Sequence, residues 1–325
     1  MEAVNLYIVI PCYNEEEVLP ETARRMLDLM NRMKQYGLVN DKSRICFVDD
    51  GSKDRTWEII SGLSREHEEI AGIKLAHNAG HQNALLGGLM TVRNECDCAV
   101  SIDADLQDDI EVIPQMAEDF ISKGCDVVYG VRGKRDTDTA FKRSTALAFY
   151  KFMKILGVDL VFNHADFRLM SRRALNALAD FPERNLFLRG VVPLVGFKSS
   201  CRYYDRAERF AGESKYPLKK MLSFAFDGIT SFSVKPIRMI SLLGGLVCVI
   251  SVIMAAYTLF EKFFRSTDSG WASLMISIWF IGGVNLLSVG LIGEYIGKIY
   301  QEVKQRPRYI IEEYTEAAKG TQNEL

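Results

Sequence analysis

Two stretches near the carboxyl end limit the architecture more than anything else in this 325-residue chain. Residues 239–260 carry no charged side chain over 22 positions, and residues 271–292 carry none over another 22. At the α-helical rise each run extends roughly 33 Å, enough to cross the hydrocarbon of a bilayer. A buried core helix seldom stays uncharged for so long, and two in tandem are rarer still. The ten residues between them are too few for a domain, so the pair is expected to form a hairpin. Lys219, Lys220, Lys235 and Arg238 precede it, and Lys298, Lys304, Arg306 and Arg308 follow it. The loop has only Lys262 and Arg265, balanced by Glu261 and Asp268. By the positive-inside rule both termini are expected on the cytoplasmic side of the cell inner (plasma) membrane. Gly244, Gly245, Gly282, Gly283 and Gly290 suit close helix packing, within one chain or between copies in a homo-oligomer. Just upstream, Leu218, Met221, Leu222, Ala225, Ile229 and Phe232 follow helical spacing. That pattern fits a core helix, but its place before a span favours a helix lying at the bilayer interface.

The rest of the chain reads as a water-facing domain. A net charge of −2 and a pI near 6.2 give no electrostatic case for nucleic acid as a partner. Cys12, Cys46, Cys96, Cys98, Cys125, Cys201 and Cys248 are scattered, odd in number and without metal-ligand spacing, which fits a reducing compartment. Residues 1–6 lack the basic-then-apolar pattern of a signal peptide, and none is expected. The four histidines, at 67, 77, 81 and 164, match no zinc spacing. Structural or surface roles are expected for them, with His81 the candidate exception.

From the amino end, strand and helix patterns alternate. Strands are expected at 4–10, 44–48, 71–75, 98–102 and 126–130, with helical periodicity between them. Such alternation predicts a mostly parallel sheet with helices on both faces. Ligands of open sheets bind beyond the carboxyl ends of the strands. The polar clusters at 13–15, 49–50 and 103–107 all fall at such ends. The last is the sharpest: an apolar run stops at Asp103-Ala104-Asp105-Leu106-Gln107-Asp108-Asp109. Two carboxylates brought together repel unless a cation neutralises them, and hard oxygen donors suit Mg²⁺ or Mn²⁺. An isolated Asp-x-Asp is also what a solvated acidic turn looks like, so its company decides. Beyond Gly130 lie Arg132, Lys134, Arg135, Lys142 and Arg143, then basic residues near Gly or Ser at 166–172 and 209–216. They fit either a solvated helix face or groups that meet phosphate oxygens.

Taken together the motifs resemble glycosyltransferase family 2, with a nucleotide-sugar-binding fold of the GT-A type. Within it the chain is similar to the polyprenyl-phosphate glycosyltransferases, relatives of dolichol-phosphate mannose synthase. The resemblance runs from Ile8 to about Tyr309. It is carried by Val9-Ile10-Pro11-Cys12-Tyr13-Asn14-Glu15, Val48-Asp49-Asp50-Gly51-Ser52, Asp103-Ala104-Asp105-Leu106-Gln107, Asp166-Phe167-Arg168, Gly212-Glu213-Ser214-Lys215-Tyr216 and Arg306-Pro307-Arg308-Tyr309. It implies that Pro11, Tyr13, Glu15 and Asp50 hold the nucleoside, with Asp103 and Ala104 beside the ribose and diphosphate. Asp105 and Gln107, next to Asp103, would ligate Mg²⁺ or Mn²⁺. Arg132 and Arg143 would meet the acceptor phosphate, and Arg209 and Lys215 would clamp the donor diphosphate. Asp166 and Arg168 would lie near the sugar and acceptor. Where relatives often have Gly-Lys-Glu this chain has Gly80-His81-Gln82, and Asp108-Asp109 replaces a Pro-containing pair, making the metal loop more acidic.

The implied layout is a GT-A catalytic domain over 1–215, an interfacial helix over 216–236, a hairpin over 237–293 and a cytoplasmic tail over 294–325. The implied reaction is metal-dependent, inverting transfer of a hexose, from UDP-glucose or UDP-N-acetylglucosamine, to a membrane polyprenyl phosphate such as undecaprenyl phosphate. Two other readings are weighed against it. A processive polysaccharide synthase would carry a Gln-x-x-Arg-Trp motif, which is missing here. A non-catalytic nucleotide-sugar-binding membrane protein would not need the intact Asp105/Gln107 and Arg209/Lys215 pairs.

Overall fold

The computed structural model describes residues 3–133, 164–184, 188–205, 235–264 and 270–315. They fall into two units, one holding the described residues up to 205 together with 306–315, the other holding 235–305.

The first unit is built on an eight-stranded sheet in the order β7-β5-β6-β4-β1-β2-β3-β8. Its strands are β1 (Leu6–Cys12), β2 (Arg44–Asp49), β3 (Ile70–Leu75), β4 (Cys98–Ser101), β5 (Val127–Arg132), β6 (His164–Ser171), β7 (Ser199–Tyr204) and β8 (Ile311–Thr315). β1 is buried along its whole length, as an apolar run in the middle of a covered parallel sheet must be. It runs on through Pro11 to Cys12, whereas the sequence suggested an end at Ile10. Pro11 is tolerated there because pairing with β4 stops at Val9, while pairing with β2 continues to Asp49.

Helices α1 (Leu19–Gln35), α2 (Thr56–Glu66), α3 (His81–Val92), α4 (Val112–Lys123) and α5 (Arg172–Ala179) accompany the sheet. α1 buries Leu19, Ala23, Met26, Met30 and Met33, the three-and-four spacing of one helical face. Its first turn is free of a Pro penalty, since Pro20 sits where a helix has no N–H partner to lose.

The expected mostly parallel sheet is found, with two reversals the sequence did not reveal. β1, β2, β3 and β4 run in one direction, and so do β5 and β7. β6 lies antiparallel to both β4 and β5, and β8 lies antiparallel to β3. The reversal of β6 brings its amino end, with Asp166, to the edge where β1 to β5 have their carboxyl ends. β8 corrects the expected tail over 294–325: residues 311–315 return to the sheet and close its β3 edge. Tyr314 donates to Glu95 at 3.0 Å and Thr315 to the Gly72 carbonyl at 3.2 Å, which fixes that return.

The second unit holds two long helices, α6 (Lys235–Phe264) and α7 (Trp271–Lys304), which contact each other. α7 runs 34 residues, well past the expected end of its apolar run at 292. Among the described residues one stretch, Phe280–Lys304, is long and apolar enough to cross a membrane. Leu242, Leu246, Leu286 and Leu287 stand exposed. The expected interfacial helix lies outside the described residues, apart from 235 and 236 at the start of α6.

Candidate active site

The loops after β1 and β2 are laced together by short polar side chains. Asn14 takes a positive φ of 53°, and its N–H donates to Ser52 Oγ at 3.0 Å while its Oδ1 accepts from the Lys53 N–H at 2.9 Å. The Glu15 N–H donates to Thr56 Oγ1 at 2.9 Å, and the Glu16 N–H to Asp54 Oδ2 at 3.2 Å. Asp54 also accepts from the Thr56 N–H and hydroxyl, so it serves the start of α2. Pro11 and the Glu15 backbone thereby gain fixed places, and Tyr13 stands exposed at the rim.

Asp50 is buried at the end of β2 and both its oxygens accept backbone hydrogen bonds, from Ala79 at 2.6 Å and Gly80 at 3.0 Å. Burial raises its pKa, and the two amides pull the other way. This carboxylate, expected at the nucleoside, holds the loop that follows β3. Gly51 makes the approach feasible: its φ is +63°, and a Cβ there would lie 2.7 Å from Asn78 N.

That loop delivers His81 and Gln82, the pair that stands where relatives often have Lys-Glu. His81, at the first turn of α3, places Nε2 2.9 Å from Asp103 Oδ1. Burial works against its charge, but the Asp103 bond and the Asp103 and Asp166 carboxylates hold its pKa at about 9. Burial would likewise push Asp103 up, and His81 brings it down instead. Gln82 Oε1 accepts from the Leu188 N–H at 2.9 Å, tying α3 to the turn of helix at Leu188–Val191.

Asp103 and Asp105 follow β4 directly. The buried Ala104 accepts from Thr22 of α1 through its carbonyl at 2.9 Å, which clamps the loop from behind. Leu106 has a φ of 56°, a conformation a branched-chain residue adopts only under constraint. The turn it makes folds the Gln107 N–H back on Asp105 Oδ1 at 3.2 Å. Asp103 and Asp105 with the Gln107 amide supply hard oxygen donors, which fit Mg²⁺ or Mn²⁺. No group of three or more His, Cys, Asp or Glu side chains set to hold a metal occurs among the described residues.

Asp108 and Asp109, the two extra acids after the metal loop, each have partners of their own. Asp108 is buried, accepting from Tyr204 Oη at 2.6 Å and from Arg132 Nη2 at 3.3 Å. Asp109 caps the Glu111 N–H at 3.0 Å. Arg132 ends β5, close enough to the Tyr204 hydroxyl for a 3.4 Å contact from Nε.

Asp166 enters on the reversed β6. Its carboxylate meets Arg168 Nη2 at 2.6 Å and Arg189 Nη2 at 3.0 Å. Burial raises its pKa, and the two guanidinium charges overcome that, leaving it well below the usual carboxylate range. Arg168, expected near sugar and acceptor, is 1% exposed and turned to Asp166 and the Leu188 carbonyl. Arg189 had no signal in the sequence, because only the folding of the Leu188–Val191 turn onto β6 pairs it with Asp166. His81 had one: it lies where a parallel strand hands over to a helix. Arg143, Arg209 and Lys215 lie outside the described residues.

A largely parallel sheet with a reversed β6 and a carboxylate-bearing loop after β4 defines a GT-A-like α/β transferase domain. The family 2 glycosyl transferase model matches residues 7–179, more than half of the chain, and a GtrB C-terminal hairpin model matches 235–299. The chain belongs to glycosyltransferase family 2. It is 55% identical over 310 residues to the uncharacterized glycosyltransferase YkoT of Bacillus subtilis (strain 168), covering 94% of this chain and 91% of that one. It is 42% identical over 307 residues to the uncharacterized glycosyltransferase YkcC of the same organism, covering 94% and 92%. It is also 40% identical over 313 residues to the SfII prophage-derived bactoprenol glucosyl transferase of Shigella flexneri, covering 95% and 97%.

Proposed function

We propose that the enzyme transfers a hexose, with glucose preferred, from a UDP-sugar to the phosphate of a membrane polyprenyl phosphate such as undecaprenyl phosphate. What carries the reading is one chain that joins the family 2 domain to the hairpin, alike over 95% of its length to a bactoprenol glucosyl transferase. α6 and α7 would cross the inner membrane as two spans, with the catalytic unit and both termini cytoplasmic and residues 216–234 at the interface. The exposed leucines of both helices support that placement, since water offers such surfaces no partner.

Pro11, Tyr13, Glu15 and Asp50 would bound the nucleoside. Mg²⁺ or Mn²⁺, held by Asp105 and Gln107 with Asp103, would neutralise diphosphate charge on the leaving group. Arg132 and Arg143 would aim the acceptor phosphate, and Arg209 and Lys215 would hold the departing diphosphate. Asp166 would face the sugar, with Arg168 and Arg189 holding its orientation. Transfer to a hydroxyl would need a general base, but a phosphate monoester, with its second pKa near ~6, is mostly dianionic at neutral pH. A single in-line displacement with inversion and no covalent enzyme intermediate then suffices.

Membranes holding the enzyme are to be incubated with UDP-glucose, UDP-N-acetylglucosamine or GDP-mannose, and the organic-soluble product weighed by mass spectrometry. A lipid phosphate bearing one hexose from UDP-glucose is expected. A polymer, or no product from any donor, overturns the reading. Asp105→Ala should still insert in membranes yet lose roughly a hundredfold or more of the transfer rate. Normal turnover in that variant would remove the metal assignment.

A further inference from the structure

The Arg306-Pro307-Arg308-Tyr309 motif belongs to the first unit and has no part in the transfer reaction described above. With β8 it follows α3 from the middle of the helix to just past its end. A Cβ added at Gly87, midway along α3, would lie 3.2 Å from the Tyr309 ring. Tyr314 Oη donates to Glu95, three residues after the last residue of α3, at 3.0 Å, and Tyr7 Oη donates to the same oxygen at 3.0 Å. Ahead of Tyr309, Arg308 Nη2 donates to the Phe181 carbonyl at 2.7 Å.

α3 is gripped from two sides at adjacent glycines. A Cβ at Gly88 would lie 2.5 Å from Val9 and 2.6 Å from Val48, so β1 and β2 press on the helix there, and Tyr309 presses on it at Gly87. Each glycine costs a helix roughly 0.5–1 kcal/mol relative to alanine, which close packing on both sides offsets. His81 opens α3, six residues or about 9 Å before Gly87. The loop ahead of His81 meets the same segment: the Ala76 N–H, at the first residue after β3, donates to the Ile310 carbonyl at 2.9 Å. From Ala76 the chain runs through Ala79 and Gly80, whose amides hold Asp50, to His81, which holds Asp103. Gly80 has a φ of +89° and no side chain with which to cap α3, so contacts made elsewhere must fix where the helix starts.

We propose that Tyr309 and Ile310 are positioning residues for the donor, bracing α3 and the loop over 76–80 so that the Ala79 and Gly80 amides meet Asp50 and His81 meets Asp103. The ring supplies one grip and the Ile310 carbonyl the other. Neither residue touches a reacting group. A close-packed interior passes a shift of one wall to the next, so loss of the ring displaces the start of α3. The proposal rests on the reading that Asp50 and Asp103 bound the nucleotide.

The test uses the full chain in detergent with Tyr309→Ala, Tyr309→Phe, Gly87→Ala and Tyr314→Phe. Calorimetry with UDP and Mn²⁺ measures the nucleotide Kd, and hydrogen exchange by mass spectrometry follows the amides of 76–83. Tyr309→Ala should raise the Kd for UDP, and the KM for UDP-glucose above that for the polyprenyl phosphate, roughly tenfold. Exchange over 76–83 should quicken by a similar factor, on the order of tenfold. Tyr309→Phe keeps the ring and should restore all three. Tyr314→Phe loosens the far end of the same segment and should lower the melting temperature without moving the Kd. Gly87→Ala favours the helix while crowding the ring, so a smaller rise in Kd is expected, and it decides the matter if Tyr309→Ala does not fold. Wild-type Kd and exchange in both Tyr309→Ala and Gly87→Ala, or an equal loss of UDP binding in Tyr314→Phe, overturns the proposal. Wild-type protein that binds no UDP counts against the donor reading instead; exchange over 76–83 then decides the brace, and equal rates in wild type and Tyr309→Ala overturn it.

Discussion

The two halves of the active-site edge are held by different forces. On the β1-β2-β3 side, Asn14, Ser52, Asp54 and Asp50 are tied to backbone amides, and the loops form a neutral lattice. On the β4-β6-β5 side, the contacts are between full charges: Asp103 with His81, Asp108 with Arg132, Asp166 with Arg168 and Arg189. The first half gives shape. The second holds its charges in matched pairs, and in the proposed reaction it is the half on which an anionic donor and acceptor would act.

The sharpest way to break that contrast is Asp166→Asn. It keeps the shape and removes the charge that balances Arg168, which is 1% exposed. Stranding a buried guanidinium costs about 3–5 kcal/mol, so melting in detergent should fall by on the order of 10 °C. Arg168→Met in the same background should restore part of the loss. An unchanged melt for Asp166→Asn would mean that Arg168 is not balanced by this carboxylate.

On the neutral side, shape itself is the target. Gly51 and Gly37 have nearly the same positive φ, +63° and +66°, but only Gly51 has backbone within 3 Å of an added Cβ. Gly37→Ala should cost about 1 kcal/mol of conformational strain. Gly51→Ala should cost at least about 2 kcal/mol, and it should also weaken nucleotide binding, because the His77–Gly80 loop must move off Asp50. Equal melts for the two variants would show that close approach at Gly51 carries no energy.

The two halves also differ in how much of them could be read from the chain. β-branched runs ending at Pro11, Asp49 and Asp103 announce buried parallel strands, and three polar strand ends on one edge follow from the alternation alone. The charged half depends on β6, whose direction no local pattern encodes: Asp166-Phe167-Arg168 reads as a basic segment until the strand is reversed and Arg168 is buried. Asp108 reads as one more acid in a metal loop, since its partners Tyr204 and Arg132 are 96 and 24 residues away. β8 is silent because an edge strand leaves its side chains half exposed, without the alternation of a covered strand.

Tyr204→Phe measures the Asp108 contact alone. The hydroxyl donates to a buried carboxylate at 2.6 Å, a charge-assisted bond, and its loss should cost about 1–2 kcal/mol. The apolar contact of the ring with Phe167, at 5.4 Å between centroids, would remain. If Arg132 is aimed by this network, the variant should raise the KM for the polyprenyl phosphate more than that for the donor sugar. An equal rise in both would make Tyr204 a packing residue only.

The smallest effect separates the halves by pH. Burial raises the pKa of Asp49 and Asp50, so on acidification the folded form takes up their protons more readily than the unfolded chain, and these two groups favour folding as pH falls. Asp119, at the far edge of the charged half, goes the other way. Burial would raise it, but Arg202, Lys123 and Ser200 bring it down to about 2. A carboxylate with a depressed folded pKa stabilises above its unfolded value near ~3.9 and loses that contribution as pH falls towards the folded one. Arg202 Nη2 lies 2.5 Å from Asp119 Oδ1 and the arginine is partly exposed, so Arg202→Gln should cost about 1 kcal/mol at pH 6. The melting deficit of the variant should shrink as pH drops from about 4 through 2, as the Asp119 of the wild type takes up its proton. A deficit that stays constant across that window would show that packing of Arg202, rather than its charge, holds α4 to β7.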